Sequence, residues 1–352
     1  MYSQTRIAGL DLLRISLALL IYMFHSWMHF SCYYSILTDF VSVGAIAMTG
    51  FFMLSGYALR LVYGNQDLME KHHFVRFYIK RALGVLPLYY VVALLHIVIY
   101  RTESLTDLFM LFPIEALGLQ STFTTLFGVS HNGGTWFISC IVLAYLIYPF
   151  LQHVCNQLRL NHKVFLLALL MFLDVWGAIV ALRFETAGLY TNPFFRLLEF
   201  ACGMIIADIN INHDDRLIHN LRSWWALIMA TLVLVVGVTA CKRYFNFDSY
   251  MLYNVVVLPC FAVILFSLGS LRMPILEKCQ VIGYLGKISY AFFLTQFFVW
   301  DFGRLVIGLI GYSNKLIKIS VTLTFCIIAA ILLYELIQKP MNKWVKCKIL
   351  NK

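Results

Sequence analysis

Apolar runs long enough to cross a lipid bilayer recur from one end of this 352-residue chain to the other, and that pattern constrains the fold more than any other feature. A hydrocarbon core about 30 Å thick calls for roughly 20 consecutive apolar residues per helix. Within it every backbone N–H and C=O must be bonded inside the protein, which leaves only helices or closed barrels. The alternating short segments of a membrane barrel are not seen. Hydrophobic residues make up 61% of the chain and charged residues 12%, with a mean hydropathy of +0.81; an ordinary soluble domain is about half apolar and a quarter charged. The reading is an all-α integral membrane protein, a bundle of about ten transmembrane helices.

The helices are expected at 8–30, 40–62, 83–101, 134–155, 163–184, 193–209, 223–241, 251–271, 283–311 and 316–337. The apolar segment 104–127 is broken by Pro113 and Gly118 and is expected to be re-entrant or interfacial rather than an eleventh span. With the N-terminus inside, the inner loops carry eighteen Lys and Arg residues. The outer loops carry six: Arg101, Arg183, Lys242, Arg243, Lys315 and Lys318. Such an excess marks cytoplasmic loops, so both termini are expected in the cytoplasm. The net charge of +10 has the same explanation; no RNA- or DNA-binding motif accompanies it, so no nucleic-acid partner is expected. Most of the nine cysteines fall in apolar runs without CxxC or zinc spacing and read as packing residues. The first span is too long and too polar-faced for a cleaved signal peptide. No repeat or linker divides the chain, and 1–352 is expected to be a single membrane domain without an appended soluble one.

The first span, "GLDLLRISLALLIYMFHSW", carries Asp11, Arg14 and His25. Eleven residues of helix turn about 1100°, or three turns plus about 20°, so Arg14 and His25 share a face about 16 Å apart along the axis. Asp11, three residues before Arg14, can pair with it, and His29 lies one turn beyond His25. The result is a polar stripe down one side of a membrane helix, and intramembrane ionisable groups of this kind face a cavity or a partner. Asp11 and Arg14 could also serve only as an ion pair anchoring the helix end. His25 with His29 has the i, i+4 spacing of a metal pair, but no third ligand is near in sequence and no metal is expected.

A second stretch, "KHHFVRFYIKRALGVLPLYY", clusters Arg76, Lys80 and Arg81 on the inner face before the third span. The patch suits phosphate groups of a cytosolic ligand, although topology alone would also place basic residues there. Further polar groups fall in or beside spans: Arg196 and Glu199 one turn apart in "RLLEF", Ser289, Tyr290 and Gln296 in "GKISYAFFLTQFF", and His131 in "SHNGGTWF" just ahead of Trp136. Together they suggest a bundle with a polar interior cavity.

These residues resemble the membrane acyltransferase-3 family, which transfers acetyl or other acyl groups to bacterial surface polysaccharides and lipid-linked glycans. The resemblance lies in "GLDLLRISLALLIYMFH", "FFMLSGYALR", "FVRFYIKRALGVLPLYY", "TWFISCIVLAYLIYP", "RLLEFACGM" and "LGKISYAFFL", in family order over nearly the whole chain. Its most specific element, Arg and His separated by ten residues, falls on Arg14 and His25. The resemblance implies ten helices, cytoplasmic termini and an acyl-CoA donor, with His25 as catalytic base and Arg14 orienting it or binding donor. The chain departs from the family at three points. Arg81-Ala-Leu-Gly84 lacks the second arginine of Arg-x-x-Arg, Ile141 stands where many members carry glutamate, and Gln296 stands where the ninth-span motif often ends in histidine.

The expected activity is O-acyl transfer, acetyl from acetyl-CoA or another acyl-CoA, to a hydroxyl of a cell-surface polysaccharide or lipid-linked glycan. A neutral histidine can take the proton of a weakly nucleophilic hydroxyl as it attacks a thioester; an acyl-histidine intermediate is the other route. The expected setting is the bacterial cytoplasmic (inner) membrane, with lipids and the glycan as partners. Oligomeric state is left open, a dimer among the options. Two other classes also need intramembrane polar groups: a transporter or flippase of a lipid-linked glycan, which would favour repeats and broken helices in matching positions, and a structural membrane subunit.

Overall fold

The computed structural model describes residues 6–100, 104–122, 135–185, 188–311 and 314–349. The longer helices are α1 (Ala8–Phe30), α2 (Ala47–Tyr63), α3 (Lys71–Tyr100), α4 (Leu105–Ala116), α5 (Trp136–Gln157), α6 (Leu160–Arg183), α7 (Pro193–Asn212), α8 (Trp224–Tyr244), α9 (Asn254–Ser270), α10 (Gln280–Ile310), α11 (Lys315–Leu333) and α12 (Lys339–Ile349). Several start on side-chain caps. The Asn192 side chain accepts from the Phe194 amide at 2.9 Å with Pro193 at the first helical position, a pairing suited to a helix start. Ser223 and Asn314 cap α8 and α11 in the same way.

Among the described residues eight helices are long and apolar enough to span a membrane, and nine if α10, bent by 66° between Gln296 and Phe298, is one span. The chain is a helical membrane protein of multi-pass type. The remaining expected span, 193–209, is the 20-residue α7. Its Arg196, Glu199 and Asp208 lower its hydropathy, yet all three are buried. It packs against α2, α5, α6 and α9 and meets protein rather than lipid.

Three expected boundaries are corrected. The third helix begins at Lys71 rather than 83; Arg76, Lys80 and Arg81 end the apolar pattern there, but Lys and Arg are good helix formers. At 30 residues α3 is about 45 Å long, so its basic first turns extend past a 30 Å core. The span expected at 40–62 is preceded by a short helix Thr38–Ser42 and a 3₁₀ turn Gly44–Ile46. The last span leaves α-helical geometry at a π-helical segment Tyr334–Gln338 and continues into the basic α12. Segment 104–127 contains α4, which at 12 residues is too short to span.

The centre of the bundle is the α2–α7 pair, where backbone meets backbone. A Cβ on Gly56 would stand 1.9 Å from the Phe200 carbonyl oxygen, and one on Gly203 1.8 Å from that of Met53. Small residues that let helices approach this closely are a recurrent means of association in membranes. At one end of the pair Arg60 of α2 bonds Asp208 of α7, which also holds Lys163 of α6 at 2.5 Å. Near the other end Thr49 donates to Glu199 at 2.9 Å. Gly203→Ala is therefore expected to force the helices apart and cost about 1–3 kcal/mol or more, whereas Gly84→Ala, at a position with nothing within 4 Å, is expected to be nearly neutral. Thermal melts of the two variants in detergent, followed by size-exclusion profile, check this.

Candidate functional site

The polar stripe of α1 borders two cavities. Arg14 lines one of about 250 Å³, the inner cavity, on the side of the basic turns of α3, together with Ser55, Gly84, Tyr145, Ser289, Tyr290 and Gln338. His25 and His29 line an outer one of about 460 Å³ with Trp136, Tyr190, Tyr250, Gln296 and Trp300. Met48 and Phe293 line both, so the two chambers share a thin apolar wall. Helical spacing put Arg14 and His25 on one face; the structure puts a chamber at each.

The charged start of α1 does two things. Asp11 accepts from Arg6 at 2.6 Å and from Arg14 at 3.4 Å. Arg6 reaches across to the carbonyls of Glu277 at 3.2 Å and Cys279 at 3.0 Å, just ahead of α10. The pair fits because α10 is bare there: a Cβ on Gly286 would come 2.8 Å from Asp11 Oδ1, and one on Gly283 2.8 Å from the Arg6 guanidinium carbon. Asp11 thus clamps α1 to α10 through Arg6, and Arg14, only loosely held, keeps its donors beside the inner cavity.

At the inner end Arg81 donates to the Tyr63 hydroxyl at 3.3 Å and lies over the Tyr63 and Tyr145 rings at 5.4 and 5.9 Å. Lys80 stands 5.8 Å from the Tyr63 ring centre. Tyr145 belongs to the inner cavity wall, so Arg81 lies directly behind that wall. Arg76 is half-buried on the same helix. Gly84, at the position of the missing second arginine, is a piece of open cavity wall. Ser289 donates to the Gly286 carbonyl at 2.9 Å and Tyr290 to that of Val85 at 2.9 Å; each is tied to backbone while bordering the cavity.

In the outer chamber the His25 and His29 rings stack 5.9 Å apart, and the Trp300 indole lies 6.2 Å from one and 5.5 Å from the other. His25 Nδ1, both amide atoms of Gln296 and Trp300 Nε1 are buried without a hydrogen-bond partner among the described residues. A chamber floored by aromatic faces and lined with such groups suits a ligand that combines apolar faces with hydroxyls.

Arg196 and Glu199 stand one layer behind that chamber and line neither cavity. Arg196 bonds both carboxylate oxygens of Glu199, at 2.7 and 2.9 Å, and the Tyr190 carbonyl at 2.9 and 2.7 Å. The Tyr190, Trp136 and Phe52 rings surround it at 4.6, 5.5 and 5.6 Å. Glu199 also accepts from Thr49 and from Asn254, which donates on to Asp174 at 2.7 Å. The network fixes Trp136 and Tyr190, two walls of the outer chamber. His131 lies outside the described residues.

A family model described as an acyltransferase domain matches residues 7–335, from just ahead of α1 to the π-helical segment. The chain belongs to the acyltransferase-3 family. No curated protein and no solved structure matches it. In this membrane acyltransferase the matched region takes in the α1 stripe and, except for Gln338, every described residue that lines the two chambers.

Sequence reasoning did not select several residues that build these two chambers. Tyr190 and Tyr250 come from 3₁₀ turns before α7 and α9, where no periodicity marks a face. Tyr145 and Met48 sit in runs that read as plain membrane helix. Trp300 was signalled only by its spacing, one turn after Gln296. Because Arg196 neutralises a buried carboxylate, Arg196→Met is expected to cost about 3–5 kcal/mol by leaving Glu199 unpaired. Arg196→Met combined with Glu199→Leu is expected to recover much of that loss, a pattern that a double-mutant cycle of melting temperatures measures.

Proposed function

We propose that the protein is an acyl-CoA-dependent O-acyltransferase. It moves an acyl group, acetyl in the first instance, from the cytosolic thioester to a hydroxyl of a cell-surface polysaccharide or lipid-linked glycan. The observation that carries this reading is the pair of chambers on one face of α1, Arg14 at one and His25 at the other, with Met48 and Phe293 lining both. An anionic, elongated donor made in the cytosol needs cations at its entry and a narrow path inward. Arg14, Arg81 and Lys80 supply the first, and the inner cavity the second. A sugar needs aromatic faces and hydrogen-bonding groups, which the outer chamber offers.

In this reading both termini and the basic turns of α3 face the cytoplasm of a bacterial cell, the whole chain is one membrane domain, and the glycan enters from the far side. His25, its Nδ1 without a hydrogen-bond partner among the described residues, takes the acceptor proton as the oxygen attacks the thioester carbon. The proton then passes to the departing thiolate, so the histidine returns to its neutral form. Arg14 holds the donor between the two ends. The transporter alternative gains little: α10 is bent, but no second helix bends in a matching position among the described residues.

His25→Ala is expected to lower acyl transfer by roughly 10²–10⁴-fold with normal membrane insertion, read by mass spectrometry of surface glycans from cells carrying each form. Transfer that continues at the wild-type rate would remove His25 from the reaction. Arg81→Ala is expected to raise the apparent KM for acetyl-CoA about tenfold or more, the size of a lost charge-assisted bond, as measured by CoA release in native membranes.

A further inference from the structure

Two residues that line the outer chamber carry buried N–H donors without a hydrogen-bond partner among the described residues. Gln296 is 3% exposed and Trp300 2% exposed, and neither the Gln296 amide nor Trp300 Nε1 has a hydrogen-bond partner among the described residues. Since both Gln296 amide atoms are free, exchanging its oxygen and nitrogen still leaves a free N–H. Buried polar groups are nearly always bonded, and one that is not weakens the fold. Two of them in one cavity wall need a reason.

Their surroundings supply one. Both side chains come from α10, on either side of its bend, and both line the chamber of His25. The Trp300 ring lies 6.2 Å from the His25 imidazole and is held by the Tyr22, His29 and Phe30 rings at 5.0, 5.5 and 5.5 Å. Its N–H direction is therefore fixed before any ligand arrives. Both donors are uncharged and do not titrate near neutral pH. Acyl transfer needs uncharged or charged donors fixed in a water-poor site where negative charge develops beside its base.

We propose that Gln296 Nε2 and Trp300 Nε1 form the oxyanion hole of the transfer reaction, an inference that rests on the acyltransferase reading above. As the acceptor oxygen forms its bond to the thioester carbon, the carbonyl π electrons move onto the carbonyl oxygen and His25 takes the hydroxyl proton. The two N–H groups bond that oxyanion. The carbonyl re-forms, the carbon–sulfur bond breaks, and the thiolate takes the proton from His25, giving the ester and free CoA. Glutamine rather than histidine at position 296 suits this role, because an amide offers its N–H at every pH at which His25 is neutral.

The test is CoA release by native membranes across an acetyl-CoA titration, normalised to the amount of full-length protein, together with the melting temperature of each purified form. Gln296→Met and Trp300→Phe are each expected to lower the maximal rate by roughly 10²–10³-fold while the KM for acetyl-CoA stays within about twofold. Gln296→Met is expected to melt at the same or a higher temperature, because it removes an unpaired buried amide; a residue kept only for structure would melt lower. Gln296→His, which restores an N–H, is expected to recover part of the rate. The proposal is overturned if Gln296→Met keeps its maximal rate, if it changes only KM, or if its rate and melting temperature fall together without rescue by histidine. A wild-type protein that releases CoA from no acyl-CoA overturns the parent reading, and this one with it; an inactive His25→Ala beside an unimpaired Gln296→Met overturns this one alone.

Discussion

The backbone contact of α2 with α7 at Gly56 and Gly203 is the constraint on which the rest depends. Lipid tails are as apolar as leucine, so burying apolar surface cannot by itself hold membrane helices together. Close approach can, and it has a second effect here. With α7 at the centre, its charged groups are surrounded by protein: Arg60 and Lys163 meet Asp208 at one end, and Thr49, Arg196 and Asn254 meet Glu199 at the other. A helix that would be unfavourable in lipid becomes the hub of the bundle, and its charges fix their neighbours in angle and register.

From that hub the site follows in two steps. The Arg196 network seats Trp136 and Tyr190, and α1 is clamped to α10 by Arg6 and Asp11 in the gap left by Gly283 and Gly286. The space left between α1, α2, α5 and α10 is divided by Met48 and Phe293 into the two chambers. Neither chamber belongs to one helix, which is why pairwise reasoning along the chain reaches their polar residues but not their walls.

Legibility followed the physics of each feature. Membrane helices were visible because hydropathy is a sum over many residues, and the Arg14–His25 face was visible because it lies within a single helix of known pitch. The start of α3 was misplaced by 12 residues, since basic side chains end an apolar pattern without ending a helix. Arg196 and Glu199 were recognisable as a pair, but whether a buried ion pair faces a cavity or stands behind its wall depends on helices remote in sequence. Arg6 shows the same limit: its partners include the Glu277 and Cys279 carbonyls, 271 and 273 residues away. The glycines gave no sign of which partner each admits.

The burial of α7's charges has one more consequence. Among the described residues no Asp, Glu, Lys or Arg lines the outer chamber, and Arg196 and Glu199 neutralise each other behind it, whereas the inner end presents Arg14 with Arg81 and Lys80 close by. Dissolved ions screen exposed charge and leave uncharged contacts almost untouched. The two chambers therefore answer differently to dissolved salt: contacts made at the basic end weaken as ionic strength rises, and contacts made to the uncharged lining do not.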